Sequence, residues 1–189
     1  MKHLTVLFIM FSTILSVVNG QTKTDPLAVF EYYMGKWIPP LDHPMAQNPK
    51  LIHLQVIDFE WGASRMLIRS KTGIHSPEYN IPFSEGTITY NPLTEKIIWL
   101  EYQYDGDLLF EGEYIALENG GLQRIYTVYY QEGYEAIPNP KEEGWTRLYK
   151  ETFTPIGTDT IDWKTETFIN EKWIKAGSPG GFKAVRKKD

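Results

Sequence analysis

The chain has 189 residues, no cysteine, a formal charge of −5 and 14% aromatic side chains. That length suits one domain with its own core, and the missing cysteines leave stability to packing rather than to disulfides. A mildly acidic balance argues against nucleic acid or an anionic membrane surface as partner. Composition leaves the oligomeric state open.

Residues 1–20 read as an export signal. Lys2 and His3 precede an apolar run from Leu4 to Val18, and Val18-Asn19-Gly20 places short residues where signal peptidase cuts. The run is interrupted by Ser12, Thr13 and Ser16, and at about 15 residues it is shorter than the ~20 a membrane-spanning helix needs. The expected product is a secreted or periplasmic protein of one domain, 21–189, with no membrane insertion after cleavage. Loss of Lys2 leaves 18 Lys+Arg against 24 Asp+Glu, and the basic cluster Lys183, Arg186, Lys187 and Lys188 reads as a solvated tail.

One helix is predicted, from Pro26 to Met34, with Asp25 as N-cap, Pro26 in the first helical position and Gly35 as the stop. Leu27, Phe30 and Met34 would share its apolar face. After it, aromatic and β-branched residues gather in short runs separated by turn residues, the pattern of an all-β chain. Strands are predicted at 36–39, 51–61, 64–72, 83–90, 95–104, 107–117, 122–131, 145–154, 159–169 and 181–187. Tight turns are expected at Gly62-Ala63, Asn91 to Thr94, Asp105-Gly106, Asn119-Gly120 and Pro155 to Thr158, where Gly and Asn tolerate positive φ.

With no crossover helix, the simplest topology is an up-and-down antiparallel β-barrel of ten strands. Long connections then fall at one end: Pro40 to Lys50, Gly73 to Pro82, Glu132 to Gly144 and Asn170 to Gly180. The short ones at Gly62, Asn91, Asn119 and Gly157 fall at the other, beside the helix. The expected shape has a closed floor and a loop-rimmed mouth.

A helical segment followed by Gly35-x-Trp37 on the first strand, with Arg186 in Phe182-Lys183-Ala184-Val185-Arg186 on the last, resembles the calycins, the superfamily of lipocalins and fatty-acid-binding proteins. The resemblance implies that Trp37 and Arg186 stack at the closed end, so Gly35, Trp37 and Arg186 are structural. The other conserved lipocalin segments are not recognisable. The stretch from Trp145 to Trp173 is more similar to bacterial calycin-like domains with no assigned activity.

Alternate residues of a small barrel face inward. Phe110, Gly112, Tyr114 and Ala116 form the expected inner face of one strand. On 122–131 the sets Tyr126, Val128, Tyr130 and Ile125, Thr127, Tyr129 are not separable, and the inward face of 95–104 is equally open. Trp145, Arg147, Tyr149, Glu151 and Phe153 share a face, so an inward Arg147 either pairs with Glu151 or awaits a ligand carboxylate.

Candidate ligand contacts are therefore Phe110, Tyr114, Tyr126, Arg147 and Tyr149 inside, with Asp42, His43, His75, Tyr79 and Tyr134 at the mouth. His43, His53 and His75 are dispersed and no Cys assists them, so neither a metal, a haem nor another cofactor is expected. No nucleophile motif or phosphate-binding glycine loop is present, and Glu101, Glu111 and Glu113 are taken as solvent-facing, with a carboxylate pair as the alternative. The expected function is binding of a small, largely apolar molecule in an aromatic-lined cavity. An isomerase or cyclase acting in that cavity, or a filled barrel serving protein interaction, are the competing readings.

Overall fold

The computed structural model describes residues 25–40, 54–75, 80–133, 145–176 and 181–188. The strands are β1 (Gly35–Ile38), β2 (Leu54–Trp61), β3 (Leu67–His75), β4 (Asn80–Asn91), β5 (Lys96–Gln103), β6 (Leu108–Ala116), β7 (Leu122–Tyr130), β8 (Thr146–Ile156), β9 (Thr160–Ile169), β10 (Lys172–Lys175) and β11 (Gly181–Arg186). Strict alternation drives their assembly. β5 buries Ile97, Trp99, Glu101 and Gln103 while β7 buries Leu122, Arg124, Tyr126 and Val128, so each strand needs one enclosed face.

Every neighbouring pair from β1 to β9 is antiparallel, β9 pairs with β11, and β11 returns to β1. Ten strands thus close a barrel without a free edge, as expected. The eleventh, β10, lies outside the closed ring. β9 pairs with β11 through Thr160 to Lys164 and with β10 through Glu166 to Ile169, which places the two end to end along one edge. The predicted irregular connection from Asn170 to Gly180 is corrected here: Asn170 and Glu171, at φ 50 and 61, turn the chain into a hairpin. Two successive left-handed residues are what a type I′ turn requires, and Glu in place of the usual Gly hid it.

Two other connections differ from expectation. β3 and β4 run on to His75 and Asn80 with a bulge at Thr72/Gly73, so most of the predicted loop Gly73 to Pro82 is strand. At the opposite end, β2 and β3 are joined by Gly62 to Met66 rather than by two residues, with Arg65 at φ 53 and the Gly62 amide donating to the Leu67 carbonyl at 2.7 Å.

The predicted α-helix is a 3₁₀ helix over Ala28–Tyr33. Its repeat of three residues per turn puts Leu27, Phe30 and Tyr33 on one face, where they are 1%, 0% and 1% exposed, and displaces Met34 from the predicted stripe. The N-cap is Leu27, without a side-chain cap bond, rather than Asp25; Asp25 instead braces the preceding turn, its Oδ1 accepting from the Leu27 amide at 2.9 Å. Phe30 packs edge-on against Phe59 and Tyr114, and the Tyr33 hydroxyl donates to the Gly120 and Phe153 carbonyls. The segment therefore plugs the end carrying the short connections. Burying each such aromatic stabilises the fold by roughly 1.5–3 kcal/mol.

The seam closes as the sequence implied. Trp37 pairs in register with Arg186, whose guanidinium lies 4.4 Å from the indole centroid. Arg186 also donates to the Tyr32 carbonyl at 2.6 Å and to the Met34 carbonyl, while Trp37 Nε1 donates to the Tyr33 carbonyl at 2.8 Å. One arginine thus ties the first strand, the last strand and the plug together. Gly35 holds φ +93, a conformation that L side chains rarely adopt.

Candidate functional site: a polar belt beneath an aromatic-walled mouth

Register fixes the height of each inward residue. β5 runs from the floor turn 92–95 to the mouth turn 104–107, so Ile97, Trp99, Glu101 and Gln103 climb the barrel in that order. β7 climbs likewise from Leu122 through Arg124, Tyr126 and Val128 to Tyr130. The ambiguous faces of 95–104 and 122–131 are thereby settled. Phe110, Gly112 and Tyr114 face inward as expected, whereas Ala116 is exposed near the floor turn.

At mid-height lies a belt of hydrogen-bonded polar groups. Glu101 is 3% exposed and faces inward, which corrects its assignment to solvent. Its carboxylate accepts from Ser70 at 2.8 Å, Thr72 at 3.1 Å, Ser84, and Trp99 Nε1 at 3.1 Å. Four donors use the roughly four lone-pair directions a carboxylate offers. Gly86 lets β4 approach here, since a Cβ on it would stand 2.6 Å from the Glu101 Cβ. Glu111 and Glu113 point outward, Glu113 to Lys96 at 2.7 Å, so no carboxylate pair forms with Glu101.

Across the barrel, Arg124 pairs with Glu151 through Nε at 3.1 Å and through Nη2. Its Nη1 donates to the Tyr114 hydroxyl at 3.1 Å, and Tyr126 donates to the other Glu151 oxygen at 3.1 Å. The guanidinium carbon sits 3.7 Å from the Trp99 centroid. Glu151 is therefore answered by Arg124, not by Arg147 as the shared face suggested. Arg147 stands higher, opposite Val128, with Nη1 donating to the Thr146 carbonyl at 2.9 Å.

Electrostatics follow from this burial. Desolvation is the largest single influence and works against the Arg124 charge, but Glu151, Tyr114, Tyr126 and Glu101 together outweigh it, and the arginine stays charged beyond its ordinary range. Burial, reinforced by Glu151, pushes the Tyr126 hydroxyl well above the usual tyrosine value. Burial likewise raises Tyr114, against the pull of Arg124. Both phenols therefore act as neutral hydrogen-bonding groups. The carboxylates of the belt already have partners and serve to organise the interior.

Above the belt the inward aromatics are less enclosed. Phe110, Tyr130 and Tyr149 are only partly buried, while inward Trp99, Tyr114, Phe153 and Trp163 are all below 5% exposed. Tyr149 stacks on Tyr126 with centroids 5.5 Å apart at 20°, and its hydroxyl lies 3.2 Å from that of Tyr130. Among the expected contacts, Phe110, Tyr126 and Tyr149 thus line this wall, and Tyr114 belongs to the belt beneath. His75 ends β3 opposite Asn80; Asp42, His43, Tyr79 and Tyr134 lie outside the described residues.

Sequence reasoning missed Arg124, Ser70, Thr72, Ser84 and Gln103. Arg124 had a signal: it is the one charge in step with Leu122, Tyr126, Val128 and Tyr130. A separate concavity of about 500 Å³ lies on the outer surface, lined by Ile98, Ile115, Ile125, Tyr129 and Leu148 with Glu111 and Glu113 among them. Among the described residues no group of three His, Asp or Glu is arranged to hold a metal ion, and no helix is long and apolar enough to cross a membrane. No protein-family model matches the chain, and no curated protein matches it either.

Proposed function

We propose that this is an exported, calycin-like barrel that binds a small, largely apolar molecule in the mouth-side half of its interior. The observation that carries the reading is the gradient of enclosure along the inward face. Phe110, Tyr130 and Tyr149 are only partly buried although they point into the barrel, whereas Trp99, Tyr114, Phe153 and Trp163 below them are enclosed; Trp61 and Tyr90, at the floor rim, are partly buried as well. Inward apolar rings that are not fully enclosed, with a sealed floor and a few fixed polar groups, are the kind of lining a ligand site uses. The closed ten-strand topology and the Trp37–Arg186 seam support the calycin likeness, and the signal-like segment 1–20 supports export.

Native mass spectrometry of protein purified from its own host tests this reading. A retained small molecule, lost on denaturation, is the expected result. An empty mass, together with no uptake of an apolar fluorescent probe in competition with host extract, would show that the interior holds nothing.

A further inference from the structure

Resting on the small-molecule reading above, we infer that the ligand is a neutral molecule presenting an N–H or O–H donor to Gln103, and not a fatty-acid-type carboxylate. Gln103 is the last residue of β5, at the mouth end of the inward face, and is 9% exposed. Its Nε2 donates to Asp105 Oδ2 at 2.9 Å, and this fixes which end of the amide is the acceptor. The opposite end, Oε1, is buried and has no hydrogen-bond partner among the described residues. A buried acceptor left without a donor costs about 1–3 kcal/mol, so the position favours any ligand that supplies one.

The neighbouring groups set the sign of the selectivity. Two residues below on the same face, Glu101 is satisfied by neutral donors, and no ammonium or guanidinium lies within ion-pair distance of it among the described residues. The hydroxyls that could have welcomed an anion are already turned toward Glu101. A carboxylate ligand accepts hydrogen bonds and donates none, so along β5 it would meet an acceptor and a like charge. A donor-bearing neutral molecule meets a complementary wall. Among the described residues the inward cations are already engaged, Arg124 by Glu151 and Arg147 Nη1 by the Thr146 carbonyl.

Isothermal titration with indole, 1-methylindole and dodecanoate decides the matter, since the first two differ by one N–H donor. The wild type is expected to bind indole at least ~10-fold more tightly than 1-methylindole, the consequence of a buried acceptor answered or left bare. Gln103→Leu should bring the two affinities together by weakening indole alone. Thermal melts establish that each variant folds, with Gln103→Met replacing Gln103→Leu if the latter does not. Equal affinities for the two indoles in the wild type would overturn the donor inference while leaving the binding reading standing. So would tighter binding of dodecanoate that disappears in Arg147→Gln. Failure of all three probes to bind would overturn the binding reading and this inference with it.

Discussion

Removing Arg124 by Arg124→Met keeps much of the side chain's bulk and deletes its charge. Both partners are deeply buried, with side-chain exposures of 8% for Arg124 and 6% for Glu151. Glu151 would lose both guanidinium donors and keep only the Tyr126 hydroxyl, Tyr114 would lose its donor, and Trp99 would lose the cation 3.7 Å from its ring. Stranding one member of a buried ion pair costs about 3–5 kcal/mol. For a domain of this size each kcal/mol moves the melting temperature by roughly 2–4 °C, so a fall of roughly 6–20 °C is expected. Glu151→Leu should cost a similar amount by stranding the arginine. The double variant should be well above the additive sum, because replacing both charges removes the desolvation penalty together with the attraction. Urea unfolding followed by circular dichroism supplies all four corners of the cycle. Single costs below ~1 kcal/mol, or strict additivity, would refute the claim that this pair is a desolvated, coupled unit.

Other outcomes follow from the same geometry. Trp37→Ala should destabilise by about 3–5 kcal/mol as a buried aromatic deletion, and Arg186→Lys should also lower the urea midpoint, because a lysine cannot span the Tyr32 and Met34 carbonyls while lying over the indole. Gly112→Ala should cost about 1–3 kcal/mol or more, since its Cβ would fall 2.3 Å from the Ile125 carbonyl oxygen and 2.4 Å from the Tyr126 Cβ; an unchanged midpoint would contradict the close β6–β7 approach. Burial raises Tyr33, Tyr114 and Tyr126 in the folded state above the unfolded value of 10.0. Above pH 10 the unfolded chain binds fewer protons, so the stability these phenols contribute is intact below pH 10 and falls as pH rises beyond it, by up to roughly 4 kcal/mol per pH unit for three groups. Phenolate absorbance for these residues should therefore appear together with loss of the β-sheet signal, and ionisation well before unfolding would contradict it.

What the sequence made legible depended on locality. Trp37 and Arg186 could be matched across the whole chain because a barrel returns its last strand to its first, and the floor turns at Gly120 and Gly157 could be read from glycines that hold positive φ, whereas the other two place it on Arg65 and Glu95. β10 could not, because Asn170-Glu171 lacks the glycine that usually marks such a turn, and its pairing to one half of β9 is a tertiary fact. The belt was hidden for a related reason. Glu101 was assigned to solvent on the general habit of strand carboxylates, and only the register, which brings Ser70, Thr72 and Ser84 around it, shows four donors waiting. Arg147 and Glu151 share a face and invited pairing, yet Arg124 stands directly opposite Glu151 across the β7–β8 ladder. Sequence spacing gives neighbours along a strand, whereas the partner that matters is across it.

Aromatic ¹H–¹³C spectra recorded during titration with indole report where in the barrel a ligand sits. A ligand in the mouth-side interior shifts Phe110, Tyr130 and Tyr149 and leaves Phe30 and Tyr33 of the floor plug unmoved. Shifts confined to the outer concavity, read at Tyr129, or no shifts at all, would contradict that placement.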